Sequence, residues 1–166
     1  MNNQNTDASE VADSWDTYWH GTGDVGAFTS GGVNHPLILS FWDRLFAHVK
    51  QNQNHVRVMD LASGNGAVIE RAFSTLDQQQ LEMSCLDVSE AAINNIRDRF
   101  PQVNGIVSDA RKIPLESGGY DIVTSQFGIE YAGADAILEA ARMVAENGQL
   151  ILMLHHQGSS IHQECV

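Results

Sequence analysis

Apolar positions along this 166-residue chain follow two periods, and from residue 56 onward the two alternate. Short apolar runs near 56–61, 82–87, 103–107, 120–125 and 149–154 read as strands, and stretches with helical spacing near 66–76, 89–99 and 134–146 read as helices. Ser89 ahead of Glu90 is an N-cap for the second of these helices, and Pro101 stops it. Asn147-Gly148, a pair that tolerates left-handed backbone, is expected to end the third. Upstream, Pro36 opens a helix running to about Lys50. Its Leu37, Leu39, Phe41, Trp42, Leu45, Phe46 and Val49 make a broad apolar face suited to packing on a sheet. A short helix over 10–19 places Trp15, Tyr18 and Trp19 on one face. His20 to Asn34 is a glycine-rich loop containing Phe28, and residues 1–9 are expected to lack structure. Strands alternating with helices predict an α/β fold, a parallel sheet covered on both faces, with no internal repeat.

Composition adds bounds. A hydrophobic content of 43% and a charged content of 18% suit one globular domain with a sizeable core. No apolar run reaches the roughly 18 residues of a membrane span, so no membrane association is expected. The polar start, Met1 to Asp7, does not read as a secretory signal. Cys85 and Cys165 read as reduced thiols, which with the absent signal points to the cytoplasm. The formal net charge of −12 repels phosphate backbones and no cluster of lysine and arginine offsets it, so nucleic acid is not the expected partner.

The chemistry concentrates at two strand ends. Val56 to Asp60 is an apolar run ending in an acid, followed by Leu61-Ala62-Ser63-Gly64-Asn65-Gly66 and then a helical pattern. Gly64 and Gly66 carry no Cβ, so the backbone there can approach a ligand closely. Leu81 to Asp87 is a second strand ending in an acid. Two neighbouring parallel strands ending at one crevice would present a glycine turn and a carboxylate to a nucleoside-like ligand. A nicotinamide-type G-x-G-x-x-G starting at Gly64 would need a third glycine where Ile69 stands, which counts against a reductase.

These residues resemble the class I S-adenosylmethionine-dependent methyltransferases. Asp60 to Gly66 is similar to that family's acid-x-Gly-x-Gly-x-Gly motif, with Ala62 where the first glycine usually sits. Asp87-Val88-Ser89 resembles the acid closing the second strand, and Ser108-Asp109-Ala110 with Ile113-Pro114-Leu115 resembles the adenine-contacting segment. Tyr120 to Tyr131 and Asn147 to Leu152 resemble the fourth strand with its loop and the turn into the fifth. The resemblance covers roughly residues 36–156 and implies a three-layer Rossmann-like fold with strand order 3-2-1-4-5. It implies S-adenosyl-L-methionine as cofactor, methyl transfer as the reaction, and Asp60, Ala62, Gly64, Gly66, Asp87, Val88, Asp109, Ala110 and Gln126 as cofactor-binding residues. In that reading Asp87 accepts both ribose hydroxyls and Asp109 the adenine amino group. The Ala110 N–H donates to a ring nitrogen, Leu86, Val88 and Ile113 flank the adenine, and Asp60 helps hold the turn and the amino acid end. The chain then divides into an N-terminal flexible or lid segment, 1–34, and the cofactor-binding domain, 35–166.

The acidic surface and the aromatics favour a small-molecule acceptor. Trp15, Tyr18, Trp19 and Phe28 are candidates for a lid over cofactor and substrate, against the plainer reading of core packing. His155 and His156, at the end of the fifth strand, are candidates for a general base, and Glu130 and Tyr131 for orienting the acceptor. The spacing of His155, His156, His162 and Cys165 matches no metal motif, so no metal is expected. Two other classes stay open, a non-catalytic methyltransferase-like scaffold and another nucleotide-cofactor enzyme. The resembling family usually adds a C-terminal antiparallel hairpin beside strand five, and no hairpin pattern follows Gln157. The strand over 150–154 is therefore expected to be an exposed apolar edge, covered by a second copy in a homodimer, by the 157–166 tail or, where the sequence is a fragment truncated at its C-terminus, by the hairpin of the longer protein.

Overall fold

The computed structural model describes residues 8–22 and 35–156. Along them run α1 (Ala8–Thr22), α2 (Pro36–Asn52), β1 (Val56–Leu61), α3 (Ala67–Thr75), β2 (Leu81–Asp87), α4 (Glu90–Arg99), β3 (Asn104–Val107), β4 (Tyr120–Gln126), α5 (Ile129–Ala132), α6 (Ala134–Met143) and β5 (Val144–Met153). The five strands form one sheet in the order β3-β2-β1-β4-β5, parallel at every pairing. Both the parallel character and the order match the expectation.

The burial follows from strand alternation. Val58 and Met59 are adjacent in β1 and both fully buried, so their side chains leave the sheet on opposite faces into two separate cores. One core joins Val58 and Ile122 to Trp42 and Phe46 of α2, Ile69 of α3 and Ile93 and Ile96 of α4. The other joins Met59, Leu61 and Val123 to Ile129 and to Ala136, Ala140 and Met143 of α6. The apolar face of α2 is narrower than its pattern suggests: Trp42, Phe46 and Val49 are buried, whereas Leu37 and Phe41 face solvent. Cys85 lies in the first core, and burial pushes its thiol up to about 12.

Three boundaries differ from the sequence reading. First, α1 extends from Ala8 through Thr22, so Ala8 and Ser9, expected to lack structure, and His20 to Thr22, expected to be loop, are helical. The rest of the segment expected to be a loop, with Phe28, and residues 157–166 lie outside the described residues. Second, the helix expected to reach residue 146 stops at Met143, and β5 starts at once. Pairing with β4 jumps from Tyr120↔Val144 to Ile122↔Gln149, which places Asn147-Gly148 in a bulge. Asn147 does take the left-handed backbone its type tolerates, at φ 66°. Third, the short α5 turn was not expected.

Helix α1 docks on the body through Asp16, whose carboxylate accepts from the Ser89 hydroxyl and from the Ala91 N–H at 3.2 Å. It thus adds a second cap to the α4 N-terminus, where Ser89 already accepts from Ala92 N–H. The outer edge of β5 has no strand neighbour among the described residues, and no helix among them is long and apolar enough to cross a membrane.

Candidate functional site

From β1 the chain proceeds outward to β2, and from β4 to β5, so the sheet has its topological switch point between β1 and β4. Open parallel sheets leave a crevice there, beyond the carboxyl ends of the strands. The loops after the two strands touch: a Cβ on Gly128 would lie 2.7 Å from the Ala62 Cβ. Ala62 and Phe127, the first residues past β1 and β4, both take positive φ, 50° and 56°. Ala62 therefore holds the left-handed conformation for which glycine is better suited, at a cost of about 1 kcal/mol.

Asp60 is buried at the end of β1 and accepts a hydrogen bond from Thr124 Oγ1 at 2.8 Å. Desolvation raises its carboxyl to about 7, against the lowering effect of Thr124. Ser63 Oγ donates to the Asp60 carbonyl at 2.8 Å and fixes the turn. Asp87 crosses from β2 to the glycine turn: its Oδ2 accepts from Gly64 N–H at 2.8 Å and its Oδ1 from Ser89 N–H at 2.9 Å. Burial raises its pKa and those backbone donors lower it, with burial the larger effect. The N–H groups of Ser63 and Gly66 are engaged too, by the Leu86 and Ser63 carbonyls. The glycine turn, expected to offer its backbone to a ligand, directs these three donors inward. The Trp19 ring lies against it, so close that a Cβ on Gly64 would fall 2.4 Å from Cζ2.

The segment after β3 is more exposed. Both carboxylate oxygens of Asp109 face the Arg111 guanidinium, at 2.6 to 3.1 Å, and this hydrogen-bonded pairing holds the carboxyl below its ordinary value. Ala110, Leu86 and Ile113 are buried in the second core, and Val88 is half-buried at the rim.

On the other side of the switch point the structure brings three of the four acid–base candidates together. His155 Nδ1 lies 3.2 Å from Glu130 Oε1 and 3.3 Å from the Tyr131 hydroxyl, and the His155 backbone N–H donates to the same Glu130 oxygen at 3.0 Å. The Phe127 ring stacks on the imidazole at 4.5 Å. Trp15 meets Tyr131 edge-on at 5.6 Å, so α1 reaches this cluster as well as the glycine turn, through Trp15 here and Trp19 there. Tyr18 packs between them, edge-on to both tryptophans. His156 is exposed and does not join the cluster. Gln126 Oε1 accepts the indole N–H of Trp42 on α2. Sequence reasoning missed Asp16, Phe127 and Trp42 as parts of this region. Only Phe127 carried a signal, its place one residue past a strand end.

A family model described as a methyltransferase domain matches residues 58–148. A Campylobacter jejuni protein named ubiquinone/menaquinone biosynthesis C-methyltransferase UbiE is 28% identical over 103 residues, covering 59% of this chain and 44% of that protein. Its namesake from Stutzerimonas stutzeri is 25% identical over 132 residues, covering 75% and 49%. The chain thus spans about half the length of these curated relatives. Among solved structures, the trans-methyltransferase CalH in complex with SAH superposes with a TM-score of 0.59 at 19% identity, covering 70% of this chain and 39% of that one. The PH0226 protein of Pyrococcus horikoshii superposes with a TM-score of 0.63 at 20% identity, covering 82% and 63%. At these identities the two structures bear on the fold alone.

Proposed function

Because this chain belongs to the methyltransferase-domain family, we propose that it transfers a methyl group from S-adenosylmethionine to a small organic acceptor. The observation that carries the reading is Asp87, a buried carboxylate at the end of β2 that touches the glycine turn at the end of β1. An ionised carboxylate has about four lone-pair sites. Gly64 and Ser89 N–H take up one lone pair on each oxygen, the Val88 N–H also acts on the carboxyl, and the acceptor capacity that remains suits the ribose hydroxyls. The residue set thus fits the cofactor.

When bound, the cofactor supplies a methyl group on a sulfonium, whose sulfur departs neutral. The chain's part is to bind, align and exclude water. In this reading Asp60, Ala62, Gly64, Gly66, Asp87, Val88, Asp109, Ala110 and Gln126 line the cofactor. The 1–34 segment is the lid, with Trp15, Tyr18 and Trp19 on its inner face. The 35–166 segment is the cofactor-binding domain. Tyr131, His155 and Glu130 form the route by which an acceptor proton leaves, the phenol outermost and the imidazole behind it. The named activity of the curated relatives, carbon methylation in ubiquinone and menaquinone biosynthesis, agrees with a small organic acceptor. We also propose a cytoplasmic setting, no nucleic-acid partner, and a homodimer through the β5 edge.

Calorimetry with S-adenosylhomocysteine tests the reading. Two charge-assisted hydrogen bonds lost in Asp87→Ala should weaken binding by about tenfold or more. Unchanged affinity in that variant, or no binding by the unsubstituted chain, contradicts it.

A further inference from the structure

The amino acid end of the proposed cofactor sets a requirement that three donors of the glycine turn do not meet. That end carries a carboxylate, which needs donors. The N–H groups of Ser63, Gly64 and Gly66 are engaged within the protein. Arg99, which reaches the turn, is committed to the Asn65 carbonyl at 2.7 Å and to Glu70 at 2.6 Å.

Gln126 offers an unengaged donor pair. It is the last residue of β4, two beyond Thr124, the register partner of Asp60, so it extends from the same sheet face toward the crevice at the switch point. The indole N–H of Trp42 is a donor only, so it must meet the amide oxygen of Gln126. That single bond fixes which way the amide points, and its NH2 turns away from Trp42. The NH2 nitrogen is buried and has no hydrogen-bond partner among the described residues. A buried donor pair of this kind calls for an acceptor, and the described residues do not supply one. Trp42 is itself 1% exposed and wedged against Phe46 and Phe41, so the indole cannot follow the amide if it rotates.

We propose that Gln126 receives the carboxylate of the cofactor's amino acid end and that Trp42 is the positioning residue that presents its amide. The assignment rests on the cofactor reading. With the ribose at Asp87, across β1 from β4, the amino acid end extends over the switch point toward Gln126.

Two ligands separate this contact from the rest of the pocket: S-adenosylhomocysteine, and 5′-methylthioadenosine, which has the nucleoside and the sulfur but no amino acid end. Both are titrated calorimetrically into the full chain. In Gln126→Leu, which keeps the bulk and removes the donors, S-adenosylhomocysteine should bind about tenfold or more weakly while 5′-methylthioadenosine is unchanged. Trp42→Phe should show the same selective loss, smaller in size, because the amide stays but loses its orientation. Equal weakening of both ligands in these variants would mean a packing role only and overturns the proposal, as does no weakening of either. Should Trp42→Phe not fold, Gln126→Leu alone decides. An unsubstituted chain that binds neither ligand removes the cofactor reading and this assignment with it. One that binds 5′-methylthioadenosine as tightly as S-adenosylhomocysteine keeps the nucleoside site and overturns the carboxylate contact alone.

Discussion

Asp60 shows how one residue can carry both a site and a cost. Its carboxyl is buried beneath the glycine turn beside the Thr124 and Ser63 hydroxyls, and desolvation lifts it to about 7. The folded pKa is raised above the unfolded value of 3.8, so the native state holds the proton more tightly. The stability this gives is complete below about pH 4 and is lost as pH rises through about 7. Asp60→Asn keeps the acceptor for Thr124 and has nothing to ionise. Chemical unfolding should therefore show the unsubstituted chain losing a few kcal/mol relative to Asp60→Asn between about pH 4 and 7, with parallel curves above that. Curves parallel throughout the range would mean that water or a cation reaches the carboxylate. Asp60 and Asp87 were legible as acids at strand ends because strand periodicity and a glycine turn are local signals. The Trp42–Gln126 contact was not, since its partners lie 84 positions apart and meet only because α2 packs on the face that Gln126 shares with Thr124. Likewise His155, Glu130 and Tyr131 were visible as candidates, but their mutual contact depends on the parallel pairing of β4 with β5.

At the level of elements, α1 is the helix proposed as the lid. Among the described residues it meets the body through Asp16 on the α4 N-terminus, Trp19 on Gly64 and Trp15 on Tyr131. A capping carboxylate is worth about 1 kcal/mol. Asp16→Ala should thus speed amide exchange over residues 8–22 about fivefold while the strands keep their protection. Equal exchange in the two proteins would show that the aromatic contacts alone hold α1. Elements were largely readable from pattern, because each strand is a short apolar run closed by turn chemistry. The α6–β5 boundary was not, since Ala145, Glu146 and Asn147 continue a helical pattern. Pairing with β4 prevailed over local preference there, and the bulge absorbed the mismatch.

The molecule as a whole has one unbalanced margin. On the β3 side the sheet ends in a strand of four residues with exposed Asn104 and Val107. On the other side β5 runs for ten residues, and its Leu150, Ile151, Leu152 and Met153 are only partly buried, with Leu154 beyond them exposed. Its outer N–H and C=O groups have no strand to meet among the described residues. Natural edges are shortened, charged or interrupted by proline, and Leu150 to Met153 has none of these protections. The formal net charge of −12 opposes association, yet an apolar strip with regular unpaired backbone groups is a strong template for a second strand. The expected outcome for this 166-residue chain is a dimer joined along β5. Sedimentation should show that dimer, more stable at high salt where like charge is screened, and amide exchange along 150–154 should be slow. Leu154→Lys, which puts like charges at the end of the proposed seam, should shift the population toward monomer without altering S-adenosylhomocysteine affinity. A monomer at high concentration with fast exchange along 150–154 would show instead that the edge is left to water.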